Sequence, residues 1–223
     1  MNDLQKIGGV SALIEAATYM IGFGLLFALL VPAGYSFGDG DPGQALAFLA
    51  DNQPLLYLWN LIIYVVNGVF LVVLVLALHQ RLKADTPAVM QVASAFGLIW
   101  AAMVTISGLL ILGNLGVVAD LYRQNEAQAV TVWLALSAVE EGLGGEVELL
   151  GGLWVLLVSW AALRVGGLPR ALNYLGVIIG ISGIVTLVPL LGEARTVFGL
   201  GFIVWFAWVG IVLLRTAPSA SVA

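Results

Sequence analysis

The chain has 223 residues, of which 61% are hydrophobic and only 9% charged, and its mean hydropathy is +1.07. Several apolar runs of about 20 residues exclude an ordinary soluble domain, and their lack of alternation excludes a β-barrel. The net charge of −5 argues against nucleic-acid partners, and the absence of cysteine removes disulfides, thiol chemistry and iron–sulfur ligation.

Lipid cannot satisfy free backbone N–H and C=O groups, so each run must close its own hydrogen bonds as a helix. The fold expected is therefore all-α, a polytopic integral membrane protein with six spans near 8–33, 55–78, 88–112, 148–163, 171–191 and 197–214. The first run is too long for the apolar part of a signal peptide and is expected to remain as an anchor. Ser11, Glu15, Thr18 and Gly22 draw a polar stripe along it. Of these Glu15 is the costliest, a carboxylate about 10 Å inside the bilayer with no basic residue nearby in its span.

After this span, Asp41-Pro42 reads as a helix start and predicts a short interfacial helix near 42–52. Gly38-Asp-Gly-Asp41 matches fragments of protease and calcium-loop motifs, but it lies in a loop, and Ala50 stands where a calcium loop needs its glutamate. In the second span Tyr57, Asn60, Tyr64 and Asn67 recur at spacings of three, four and three, which on an α-helix is one face. His79, the sole histidine, ends this span, so a histidine-built haem or zinc site is excluded within one chain and no nucleophile–histidine pair forms in the membrane.

Beyond the third span, 114–142 reads as helix projecting past the bilayer. A continuous helix from Thr131 to Arg164 would measure about 50 Å against a core of about 30 Å, so a break is expected at Gly142, Gly144 and Gly145. Glu140, Glu141, Glu146 and Glu148 flank that break. Carboxylates in a first helical turn meet the positive end of the dipole, and this is the plain explanation for them. The alternative is an outer cation site, in which Glu141 and Glu148 share a face if helix persists, with hard ligands suited to Ca²⁺ or Mg²⁺.

Lys6, Arg81, Lys83, Arg164, Arg170 and Arg215 fall on one side of the predicted membrane and Arg123 and Arg195 on the other, which predicts both termini in the cytoplasm. The outer side then carries ten carboxylates against two arginines. The spans returning inward end alike, as "LALHQR", "WAALR" and "GIVLLR", which suggests three successive hairpins.

The segment "GGLWVLLVSWAALRVGGLPRALNYLGVIIGISG", residues 151–183, carries a Gly-Leu-Trp opening, a tight "GGLPRAL" turn and a ladder of Gly176, Gly180 and Gly183. It resembles the bacterial membrane-protein family catalogued as domain of unknown function 4386, as does "LVLALHQRLK" at 74–83. The resemblance implies a six-helix membrane fold and carries over no catalytic or binding residue.

Two functional readings follow. Glu15, Thr18, Tyr19, Asn60, Tyr64 and Asn67 make a polar path for a small solute, cation or proton across a bacterial inner membrane, served by an acidic outer vestibule. Alternatively these polar groups are packing glue in an accessory subunit that oligomerises or joins a membrane complex. An intramembrane enzyme ranks third for want of a catalytic set. The sequence calls for no cofactor, and the lipid bilayer is the partner it requires.

Overall fold

The computed structural model describes residues 3–35, 41–140, 142–143 and 148–215. Glu141 and Glu146 of the expected cation site, with Gly144 and Gly145 of the expected break and residues 38–40 of the loop motif, lie outside the described residues. Among those described, no strand occurs.

The apolar runs fold as helices of unequal length. Helix α1 (Asp3–Leu25) passes into a π-helical stretch, Leu26–Leu30. Helix α2 (Pro42–Asp51) begins where Asp41-Pro42 predicts: Asp41 is the N-cap, and its carboxylate accepts a bond from Gly43 N at 3.0 Å. Helix α3 (Gln53–Asn60) is joined through a π-helical stretch, Leu61–Val66, to α4 (Asn67–Leu82). Helix α5 (Pro87–Gln124) has 38 residues and runs well past the expected limit of 112. Helices α6 (Glu126–Glu140) and α7 (Glu148–Val165) are separate elements; between them Gly142 and Leu143 are π-helical, and the rest of the expected break falls outside the described residues. Helices α8 (Arg170–Val185) and α9 (Ala194–Arg215) complete the chain.

Five segments are long and apolar enough to cross a membrane: Asp3–Leu30, Gln53–Leu82, Pro87–Gln124, Glu148–Val165 and Ala194–Arg215. The protein is thus built as a multi-pass membrane protein. The expected fifth span, 171–191, is the apolar 16-residue α8 followed by turns and a 3₁₀ segment, Pro189–Leu191. At 1.5 Å per residue α8 measures about 24 Å, less than the roughly 30 Å core.

Helices α1, α4, α5, α7, α8 and α9 form a ring in chain order, and α9 closes it by packing on α1. Neighbours run antiparallel. Gln5 of α1 donates to the Leu213 carbonyl of α9 at 2.9 Å, so both described ends of the chain lie at one end of the bundle. On α7 and α8 the small residues do what their spacing predicts. A Cβ on Gly152 would stand 2.8 Å from the Gly180 carbonyl, and one on Gly180 would stand 2.8 Å from the Gly152 carbonyl, so glycine at both positions permits near backbone contact. The α7–α8 turn uses Gly166 at φ +67°, and Arg81 Nε ties it to α4 by donating to the Gly167 carbonyl at 3.1 Å.

Trp100, Trp154, Phe198, Phe202, Trp205 and Phe206 fill the centre of the ring. Phe202 is the hub, its ring 4.7 Å from Phe198, 4.6 Å from Phe206 and 5.3 Å from Trp100. At the end away from the termini, α2, α6 and the overhang of α5 pack around Leu46, Val118 and Ala129.

Candidate functional site

The stripe on α1 is real and faces inward. Ser11 and Glu15 are 0% exposed, and Thr18 and Gly22 are buried above them. Asn67, the first residue of α4, reaches across: its Nδ2 donates to Glu15 Oε2 and, at 3.1 Å, to Thr18 Oγ1. Thr18 Oγ1 in turn donates to the Glu15 carbonyl at 2.8 Å. Glu15 Oε1 and Ser11 Oγ are buried without a hydrogen-bond partner among the described residues.

The charged form of this carboxylate is the costly one: an ionised side chain at a helix centre costs about 2.5–3.5 kcal/mol, whereas an interhelical hydrogen bond in a membrane protein returns about 0.6 kcal/mol on average. A protonated Glu15 held by Asn67 is compatible with packing, and an ionised one needs a further partner.

Directly above lies a cavity of about 480 Å³ whose lining includes Thr18, Tyr19, Tyr64 and Asn67. Its walls include Phe23, Trp59, Trp100 and Phe198, and Glu148 and Arg195 line it at the starts of α7 and α9. Both π-helical stretches contribute to it, through Leu26 and Phe27 of the first and Ile63 and Tyr64 of the second. The wider π turn displaces side chains from α-helical register, and such segments recur at functional sites. Trp59 Nε1 donates to the Gly22 carbonyl at 3.0 Å, fixing one wall to α1.

The π-helical stretch also corrects the second stripe. Spacing of three and four aligns residues only while the helix keeps 3.6 residues per turn. Tyr64 and Asn67 line the cavity, but Asn60 is turned back on its own helix, its Nδ2 donating to the Leu56 carbonyl at 2.8 Å, and is not in the lining. Tyr57 lines a separate outer groove with Gly113 and Gly116 of α5.

Toward the end that holds the chain termini no such space continues. Ala12, Leu71, Leu74 and Leu78 are all fully buried below Glu15, and Gly8 lies directly against Ala77. The cavity is therefore blind, with Asn67 and Thr18 as its floor.

Two of the four glutamates of the expected cation site, Glu141 and Glu146, lie outside the described residues. Of its described members, Glu148 lines the cavity, while Glu140 ends α6 and is absent from the lining. Among the described residues no group of three or more His, Cys, Asp or Glu side chains is placed to hold a metal ion. Partial burial pushes the Glu140 carboxyl above its ordinary value. Tyr35 is pushed up as well, first by burial and then by the Glu140 charge. Sequence reasoning missed Trp59, Trp100, Phe198 and Arg195, which come from distant helices with no shared spacing.

A family model described as Domain of unknown function (DUF4386) matches residues 7–216, most of the chain. The protein belongs to this family. The DUF4386 match includes every described residue of the cavity and of the Glu15 cluster. Comparison with curated proteins and with solved structures gives no significant match to either.

Proposed function

We propose that this DUF4386 protein is a membrane carrier for a small solute or cation, with Glu15 as the group that exchanges a proton or cation with it. One observation carries the reading: a cavity open at one end stops, inside the bundle, on two residues hydrogen-bonded to a wholly buried carboxylate. A blind cavity over an intramembrane carboxylate is what one state of an alternating-access carrier requires. The packed segment below Glu15 is then the inner gate.

In this reading α8 is the sixth, short span, and both termini lie in the cytoplasm of a bacterial inner membrane. The division of Lys and Arg between the two ends of the bundle supports that orientation, and it turns the cavity mouth to the outer, acid-rich side. The outer groove beside Gly113 and Gly116, where an added Cβ would meet nothing, favours a second reading as a subunit that packs on a partner helix.

The test is flux. Proteoliposomes with an entrapped pH dye, challenged with amines, organic cations and monovalent metal ions, are expected to show protein-dependent proton movement with at least one of them. Glu15→Gln should abolish that movement while keeping the wild-type melting temperature. Equal flux through both proteins would remove Glu15 from the mechanism, and protein-independent flux throughout would favour the subunit.

A further inference from the structure

The walls and the sidedness of the cavity narrow the ligand class. Its rings belong to Tyr19, Phe23, Trp59, Tyr64, Trp100 and Phe198, so most of what a ligand would touch is aromatic π surface. Such faces carry negative charge and attract cations, most strongly where water is excluded.

The fixed charges point the same way. No Lys or Arg occurs between Lys6 and Arg81, 84 and 122, 124 and 163, 171 and 194, or 196 and 214, so the helix interiors are free of basic charge. The one basic residue in the cavity lining among the described residues, Arg195, is exposed at the mouth, where solvent and salt screen it. Glu148 lines the wall with one carboxylate oxygen buried, and Glu15 lies one hydrogen bond beneath the floor with Oε1 unpartnered. An anion would be repelled by both groups. A bare metal ion would lose its water and gain rings in place of the oxygen ligands it needs.

The opening also faces the lipid. Phe27 of the first π-helical stretch and Leu200 of α9 line the cavity, yet they are 63% and 49% exposed on the outside of the bundle. Beside this opening α1 and α9 pack closely at Gly199, where an added Cβ would stand 3.0 Å from the ring of Phe23. Phe23 and Phe27 stack 6.2 Å apart on the α1 side of the opening.

We propose that the cavity binds a lipophilic organic cation, an amine or onium ion bearing aromatic or alkyl groups, which enters from the bilayer past Phe27 and Leu200. This rests on the carrier reading and adds the class of its cargo. The cation would sit against the rings with its charge toward Glu15, in competition with a proton for that carboxylate.

Tetraphenylphosphonium and tetraphenylborate have the same shape and opposite charge, and they separate a charge-selective site from general greasiness. Titrated calorimetrically into the full chain in nanodiscs, the phosphonium should bind saturably at one site per chain and the borate should not. Phosphonium affinity should fall on acidification. Glu15→Gln should weaken it at least tenfold, and Tyr64→Leu, which removes one aromatic face from the wall, should weaken it severalfold with Glu15 untouched. Melting temperatures identify a variant that fails to fold, and the other variant then decides. Equal binding of the two ions, or phosphonium binding indifferent to every folded variant, would overturn the proposal. If phosphonium does not bind while proton flux still depends on Glu15, the ligand class is wrong and the carrier reading stands. If it binds as described without any Glu15-dependent flux, the site is correct and the carrier reading fails.

Discussion

At Glu15 the two readings of an intramembrane carboxylate separate by substitution. Glutamine keeps the side-chain oxygen that accepts from Asn67, so Glu15→Gln should change the melting temperature little. Leucine leaves the buried Asn67 amide short of an acceptor, and Glu15→Leu should destabilise by about 1 kcal/mol, read as a lower melting temperature in detergent. Stability that is indifferent to Leu would show that the bond from Asn67 contributes nothing to the fold. Glu140 gives a prediction in pH. Because burial raises its carboxyl value in the folded protein, its contribution to stability is fully present below the ordinary unfolded value and is lost as pH rises through the raised one. Glu140→Gln should therefore flatten that decline and leave the variant more stable than wild type at neutral pH. A melting-temperature profile that runs parallel to wild type across the acid range would contradict this.

At the level of the elements, the α7–α8 pair depends on backbones in near contact. The carbonyls of Gly152 and Gly180 leave no room for a side chain, so Gly180→Leu should cost about 1–3 kcal/mol or separate the pair. The drop should appear in melting temperature with little change in helix content, and an unaffected melting temperature would mean that the contact is looser than it stands. Gly180 was legible because Gly176, Gly180 and Gly183, spaced four and three on an α-helix, define one face. The α1 stripe was legible for the same reason, since α1 stays α-helical from Ser11 to Gly22. The α3–α4 stripe was legible only in part. Nothing in "LIIYVV" announces a π-helical stretch, and one such stretch is enough to separate Asn60 from Tyr64 and Asn67. The length of α5 was underestimated because its overhang is stabilised by packing against α2 and α6, which periodicity within α5 does not record.

Across the whole molecule, hydropathy marked the apolar helices and their order, and the antiparallel ring follows from the connections between successive helices. The cavity was not legible, because its rings come from α1, α5, α9 and the second span, and their meeting is a product of ring closure. The same closure makes the molecule two-sided: open above Asn67 at one end, packed below Glu15 at the other. That asymmetry is the centre of the account, and the absence of any native cysteine makes it directly measurable. Single cysteines at Thr196 on the rim, Tyr64 in the wall, Ser11 below the floor and Asp85 in the α4–α5 turn can each be challenged with an impermeant thiol reagent applied to one face of the membrane. Thr196→Cys and Tyr64→Cys should react only from the outside, Asp85→Cys only from the inside, and Ser11→Cys from neither. Reaction of Ser11→Cys from the inside as readily as Asp85→Cys, or protection of Tyr64→Cys from both sides, would contradict a blind cavity closed above the inner face.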